Sequence, residues 1–411
     1  MSEVQSYLEL YSAHRDTLLA HTPGVMSSVR DAAIAVVGQK GFPSQKVEEY
    51  KYVEEYKYID VEKALGGVYK YSVTSSQINK KDDVVEVNND ALMNTHYAKV
   101  ADINDPIAAL NTAFANECLC IHVGKNQVVE KPIEISDVLK ASEPLMEHKR
   151  VLVVLDENAS ATILFRYVAQ DKVKFLTTQV VEVVVGENAH LDMYEIEETH
   201  TSCTRFNNVY FNVGRYATVR HNNITIFNGM TRNTIRVGLK GEYSEVVLNG
   251  CAMTDKKQMV DNNTVIRHEA PNCTSNELYK YVVDEQSTGA FAGMVYVAEG
   301  AQKTISEEVN QNICLSDDAR MFTQPMLEIY ADDVKCSHGS TVGKLDEASL
   351  FYMRQRGIPL DEVKMLLVQA FISQVVDMIP LEPLRQRLDI LVEQRLKGEL
   401  DKCTGCALCK Q

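Results

Sequence analysis

The sequence predicts a mainly β protein, with a β-solenoid core between a helical N-terminal region and a helical C-terminal region. Three observations carry that expectation. Long runs rich in Val, Ile and Thr, 151–167 and 175–198, are interrupted by Gly, Asn and Asp, as strands are by turns. A short turn pattern recurs as Asp156-Glu157-Asn158-Ala159, Gly186-Glu187-Asn188-Ala189, Gly214-Arg215-Tyr216-Ala217 and Gly241-Glu242-Tyr243-Ser244, at intervals of about 30, 28 and 27 residues. A solenoid requires such a period, because each coil buries its inward face only against its neighbours, whereas a β-sandwich has no reason to space its turns evenly. Finally, apolar residues at three- and four-residue steps mark amphipathic helices late in the chain.

Residues 1–100 form the first region. In Ser2–Arg15 the positions Val4, Tyr7, Leu8, Leu10 and Tyr11 approximate a helical period. Tyr50, Tyr52, Tyr56 and Tyr58 lie two apart or more among acids and lysines, which suits an edge or lid rather than a buried strand. The charged run Asn79-Lys80-Lys81-Asp82-Asp83 predicts that this region is loosely attached. The β core is expected over 101–345. From Asp346 the pattern is helical again, over 346–398: Val363, Leu366, Leu367, Ala370, Phe371, Val375 and Met378 share a face, Pro380 ends the run, and a second helix follows Pro383. This hairpin would cap the open end of the solenoid, and Leu366, Leu367 and Phe371 would dock a partner. A Cys-rich tail occupies 399–411.

Composition narrows the function. The 411 residues are 45% hydrophobic and 24% charged, with 42 Lys and Arg against 57 Asp and Glu, a net charge of −15. Such an acidic surface repels phosphate backbones, so no nucleic-acid partner is expected. No apolar run approaches the ~18 residues of a spanning helix, and the opening lacks both a basic stretch and an apolar core, so neither membrane residence nor export is expected. The ten cysteines are scattered through an apparently unexported chain, which implies reduced thiols in the cytoplasm. No GxxxxGK[ST], GxGxxG, GxSxG or HExxH pattern is present, so nucleotide hydrolysis, dinucleotide binding and conventional hydrolase chemistry are not expected.

Two cysteine-bearing elements remain. Cys336 and His338 lie two apart in a strand-like run, on one face with Ser337 on the other. A thiol and an imidazole facing the same way make half of a metal or iron–sulfur site, and also occur as a buried Cys beside a hydrogen-bonded His. Gly339 and Gly343 would let another backbone approach closely. In the tail, Cys403, Cys406 and Cys409 make a C-x2-C-x2-C run like three ligands of a ferredoxin loop, suited to a metal, a cluster or sulfur, or to an unengaged terminus. Cys118 and Cys120, flanked by Leu119 and Ile121, read as packing. Cys273 is left open between a structural role and a sulfur path. His190, His221 and His268 read as satisfied histidines. The pairs Glu48-Glu49, Glu197-Glu198 and Asp332-Asp333 read as solvated turns or edges.

The stretch 327–358 resembles the signature of the SufB/SufD family of iron–sulfur cluster assembly proteins, its SufD branch in particular. The resemblance extends to Arg267-His268-Glu269-Ala270-Pro271-Asn272-Cys273, Ala301-Gln302-Lys303-Thr304, Pro325-Met326-Leu327-Glu328-Ile329-Tyr330, Leu350-Phe351-Tyr352, Arg356-Gly357-Ile358 and, near the start, Gly41-Phe42-Pro43 with Glu48-Glu49-Tyr50-Lys51-Tyr52. It implies a right-handed parallel β-helix with helical flanks, pairing with a SufB-like paralogue and docking of a SufC-like ATPase through the C-terminal helices. It also implies a transient iron–sulfur cluster, with His338 as a ligand-type residue and Cys336 beside it at the interface. The chain would then be a scaffold and not itself an enzyme, with the nucleotide chemistry on another chain. The alternatives are an electron carrier built on Cys403, Cys406 and Cys409, or a purely structural β-solenoid adaptor; in isolation the chain could also form a homodimer through the same edge.

Overall fold

The computed structural model describes residues 2–43, 56–71, 77–79 and 84–398; Glu48, Glu49, Tyr50, Tyr52, Cys403, Cys406 and Cys409 lie outside the described residues. From Leu119 onward, strands alternate between two sheets and pair with the strand one coil away. One sheet holds β4 (Leu119–Val123), β6 (Leu145–Leu155), β8 (Phe175–Val185), β10 (Cys203–Val213), β12 (Met230–Leu239), β14 (Met259–His268), β16 (Thr288–Val297) and β18 (Arg320–Ile329), in that order. The other holds β5 (Ile133–Leu139), β7 (Ser160–Ala169), β9 (His190–Glu198), β11 (Thr218–Phe227), β13 (Glu245–Thr254), β15 (Thr274–Val283), β17 (Ile305–Cys314) and β19 (Lys335–Gly343). All these pairings are parallel, so the expected β-solenoid is present. Three short strands complete the sheets at the first coils: β1 (Lys70–Tyr71) lies parallel to β6, while β2 (Gln77–Asn79) and β3 (Val85–Val87) run antiparallel to β5 and β4.

The recurring turns have a backbone cause. Asn158, Asn188, Tyr216 and Tyr243 adopt φ of 61°, 54°, 55° and 60°, and the series continues with Asn272 at 60° and Lys303 at 59°. Left-handed backbone costs a non-glycine residue ~1 kcal/mol or more, least for Asn, whose short side chain bonds locally. Here Asn158 donates to Asn126 and Asn188 to Asn158, at 2.7 and 2.8 Å. The two tyrosines are supported instead by each other, with rings stacked 5.1 Å apart. The residue after each left-handed position turns inward and must be small: Ala159, Ala189, Ala217, Ser244, Cys273 and Thr304 are all buried. Cys273 therefore occupies a packing position, its Sγ 3.2 Å from Ser244 Oγ.

The N-terminal region is not loosely attached in its described part. Helices α1 (Glu3–His21) and α2 (Gly24–Lys40), the short α3 (Val61–Leu65) and α4 (Asp90–His96) are followed by α5 (Pro106–Phe114). Asp105 caps α5 by accepting from the Ile107 and Ala108 amides, and every residue of α5 is buried. Tyr7, Tyr11, Phe42 and Tyr56 pack around Phe114 and onto Met146, Leu176 and Phe206 of the first sheet. Asn111 fixes the contact by donating to the Lys149 and Thr178 carbonyls. Residues 80–83 of the charged run lie outside the described residues, while the elements described on either side of it are packed. Tyr56 is buried for the same reason, while Tyr58 stacks on Phe322 of β18.

The C-terminal helices α6 (Glu347–Gln355), α7 (Leu360–Val376) and α8 (Glu382–Leu396) begin where the sequence places them, with Asp346 capping α6. Their position is different from the expected end cap. Val368, Ile372, Val375, Leu388 and Val392 cover the outer face of β9, β11 and β13 at Tyr194, Ile196, Ile224, Ile226, Cys251 and Met253. Arg387 binds Glu198 at 2.6 Å and Arg395 binds Asp255 at 3.0 Å. The hairpin thus covers a flank and leaves β18 and β19 at an open end. Glu197 is no solvated edge either: strand parity turns it inward, where it accepts from Thr199 and Thr231. Asp332 and Asp333 do lie in an exposed turn.

Candidate functional site at the open end of the solenoid

β18 and β19 are the last strands of their sheets, so each offers an unpaired edge among the described residues. Such edges invite pairing with another chain. The end also exposes Phe322 and Val342, at 41% and 50%. A Cβ at Gly339 or Gly343 would meet nothing within 4 Å, so the space beside both glycines is open.

Cys336 and His338 both lie on β19. Cys336 sits opposite Ser306 and His338 opposite Glu308, in the rows that face the interior on the preceding coils. Because no further coil follows, His338 on this row is exposed, while Cys336 is half-buried against Val295, Val297, Ala301 and Ala331. That burial raises the Cys336 thiol above its ordinary value, which holds it protonated and a poor ligand until a metal or cation approaches. His338 is the more available donor. Among the described residues no group of three or more His, Cys, Asp or Glu side chains could hold a metal. Two donors on an open edge can complete a cluster's ligand set only with groups from elsewhere.

The other sequence candidates separate. Cys118 and Cys120 are buried, with thiols pushed up by burial. His221 lies 2.9 Å from Glu195, and His268 2.9 Å from Ser275, so both are core histidines. On α7, Leu366 is exposed and Leu367 half-buried, while Phe371 turns toward β15, with Lys280 Nζ 4.2 Å from its ring centroid. Phe351 and Tyr352 of α6 are 64% and 59% exposed, and α6 buries none of its residues. Sequence reasoning singled out neither as a surface; their adjacency in a short polar helix was the available signal.

Comparison with known proteins identifies the family. The model of the SUF system FeS cluster assembly SufBD core domain matches residues 138–371, and that of the SufBD protein N-terminal region matches 1–86 and 83–135. The chain belongs to the SufBD family. It is 30% identical over 292 residues to the iron–sulfur cluster assembly protein SufD of Escherichia coli (strain K12), across 70% of this chain and 69% of that protein. To the protein of the same name from Bacillus subtilis (strain 168) it is 26% identical over 302 residues, across 71% and 67%. Membership in the SufBD family gives the chain a role in iron–sulfur cluster assembly. The match to the core domain contains β19 with Cys336 and His338, and α6 with Phe351 and Tyr352; Cys403, Cys406 and Cys409 lie beyond both matched regions.

Proposed function

We propose that this chain is a SufD-like, non-enzymatic scaffold subunit of a cytoplasmic iron–sulfur assembly complex. It pairs with a SufB-like paralogue across β18 and β19, and it docks a SufC-like ATPase through its C-terminal helices. His338, with Cys336 behind it, contributes to a transient cluster at the shared edge. The observation that carries this reading is the position of the two donors: they lie on the terminal strand, at an end of the solenoid that the C-terminal helices leave uncovered among the described residues. The cluster is cargo, so an incomplete ligand set in one chain suits a site that must form and release it. Phe351 and Tyr352 with Leu366 supply exposed apolar area for the ATPase, which would bring the P-loop that this chain lacks.

The test is anaerobic reconstitution with SufB-like and SufC-like partners, counting iron and sulfide per complex. His338→Ala is expected to lose most of the cluster, Cys336→Ala less, and a chain cut before Cys403 little. Loss on truncation alone would transfer the site to the tail cysteines and support an electron-carrier reading instead. Retention in all three would leave an adaptor.

A further inference from the structure

The interior changes character along the second sheet. In register across β9, β11, β13, β15, β17 and β19 stand Met193, His221, Leu248, Glu277, Glu308 and His338. After the buried, apolar Leu248 come two consecutive carboxylates, Glu277 at 2% exposure and Glu308 at 0%. Among the described residues, none of their four oxygens has a hydrogen-bond partner at normal geometry. Across the interior on β14, the fully buried Thr264 sets its hydroxyl against Glu277 and lowers that carboxyl slightly, without a hydrogen bond of normal geometry. Gly293 of β16 pairs with Thr264 in register, and it clears the space Glu308 fills: a Cβ there would stand 2.2 Å from a Glu308 carboxylate oxygen.

Each unpartnered buried polar group costs ~1–3 kcal/mol, and the same row accepts Leu248 and Met193 one and three coils before Glu277, so packing does not require acids here. Burial, and at Glu308 also the neighbouring Glu277, raises the two carboxyls to about 8 and about 9, which keeps the empty pair largely neutral at pH 7. The oxygens of two carboxyls and a hydroxyl, with no cation or amide facing them at hydrogen-bond distance among the described residues, form a donor set for a hard divalent cation, whose charge two carboxylates would balance once their protons leave to solvent.

We propose that Glu277, Glu308 and Thr264 form an interior site for a hard divalent cation, within the last coils before the open end of the solenoid. That the cation is ferrous iron rests on the assembly reading above; the site itself does not. Gly293 acts as a positioning residue, leaving room for the Glu308 carboxylate.

The experiment is an anaerobic Mn2+ titration of the full chain, followed by electron paramagnetic resonance. Mn2+ prefers oxygen donors and so discriminates against the tail thiols. The wild type should hold one more bound Mn2+ than E277Q or E308Q, or bind it at least tenfold tighter, and Fe2+ should displace it. Gln is isosteric with a protonated Glu, so both variants should melt as folded proteins. Gly293→Ala should weaken the same site with both acids retained. Equal Mn2+ stoichiometry and affinity in wild type, E277Q and E308Q would overturn the site and leave buried water as the acids' partner. Mn2+ binding that Fe2+ does not displace would keep the site and overturn its assignment to iron. Either result is separable from the scaffold reading, which stands or falls with His338→Ala in reconstitution.

Discussion

The early and late coils of the solenoid bury acidic groups in opposite ways. Near the N-terminal region, Glu182 is fully buried but accepts from Arg150 at 2.5 Å and from the Ala98, Val100 and Ala101 amides. Burial alone would raise its carboxyl, yet Arg150 and the amides pull it below its ordinary value. On the next strand, β9, Glu195 accepts from Tyr167, Asn207 and Asn223 and lies against His221, and is held down to about 2. Glu277 and Glu308 have no such partners and are raised instead. The first group ties the N-terminal helices and the coils together. The second lies beside an end that another chain is proposed to cover. A buried acid with partners stays charged and stabilises a fold, whereas a buried acid without them marks a place where the isolated chain is incomplete.

The sharpest way to break this contrast is to remove a partner from the early coils. Arg150→Met strands Glu182, the counter-charge beneath α5, and should cost ~3–5 kcal/mol in urea unfolding. Glu308→Gln, at equal burial, should cost less than ~1 kcal/mol or stabilise, because it replaces a neutral acid by a neutral amide. Similar losses in the two variants would erase the distinction.

A second test uses pH on the metal-free chain. For Glu277 and Glu308 the folded-state values lie above the unfolded one, so their contribution is fully present below about 4.5, and it is lost as pH rises through about 8 and 9. Glu195 has the opposite sign: its contribution is present above about 4.5 and is lost as pH falls toward 2. His268, buried and lowered to about 4, likewise weakens the fold as pH falls below its unfolded value near 6.5. Stability should therefore decline between pH 5 and pH 8 on account of the acid pair. The double variant E277Q/E308Q should flatten that decline and leave the acid limb unchanged. A wild-type profile that rises from pH 5 to 8 and is unaltered by the double variant would contradict the unpartnered state of the pair.

The sequence made some of this legible and hid the rest for a physical reason. The turn period was readable because a left-handed position followed by a small inward residue constrains two adjacent residues in every coil, so Asn158-Ala159 and Asn188-Ala189 stand out. The helix boundaries at Asp346 and Pro383 were readable from caps and proline. Cys336 and His338 were singled out by spacing and by resemblance. Ser306, Glu308, Asn310 and Asn312 alternate with less buried residues in a pattern that, read alone, describes a solvated face, yet every one of them points inward. Strand alternation defines two faces without saying which is inside, and one step of register exchanges them. Glu197 was misread on the same ground. The flank position of the C-terminal hairpin depends on contacts with β9, β11 and β13, more than a hundred residues away in sequence, and no local pattern encodes it.

The smallest effect on the isolated chain is expected at the open end, where it separates folding from pairing. Val342 is half exposed on β19, on the same row face as Cys336 and His338 but beyond them along the strand. Its partner in register, Asn312, is already buried by its own coil and donates to the Thr341 carbonyl, so a change at 342 leaves that contact in place. Val342→Glu should therefore alter unfolding by no more than ~0.5 kcal/mol, the range for surface substitutions. An edge proposed to meet another chain should respond differently, because a carboxylate there would be desolvated without a partner. Co-purification with the SufB-like chain should drop at least tenfold while the melting temperature of the chain alone is unchanged. Loss of both together would mean that β19 supports this chain's own fold, and undiminished pairing would place the interface away from the open end.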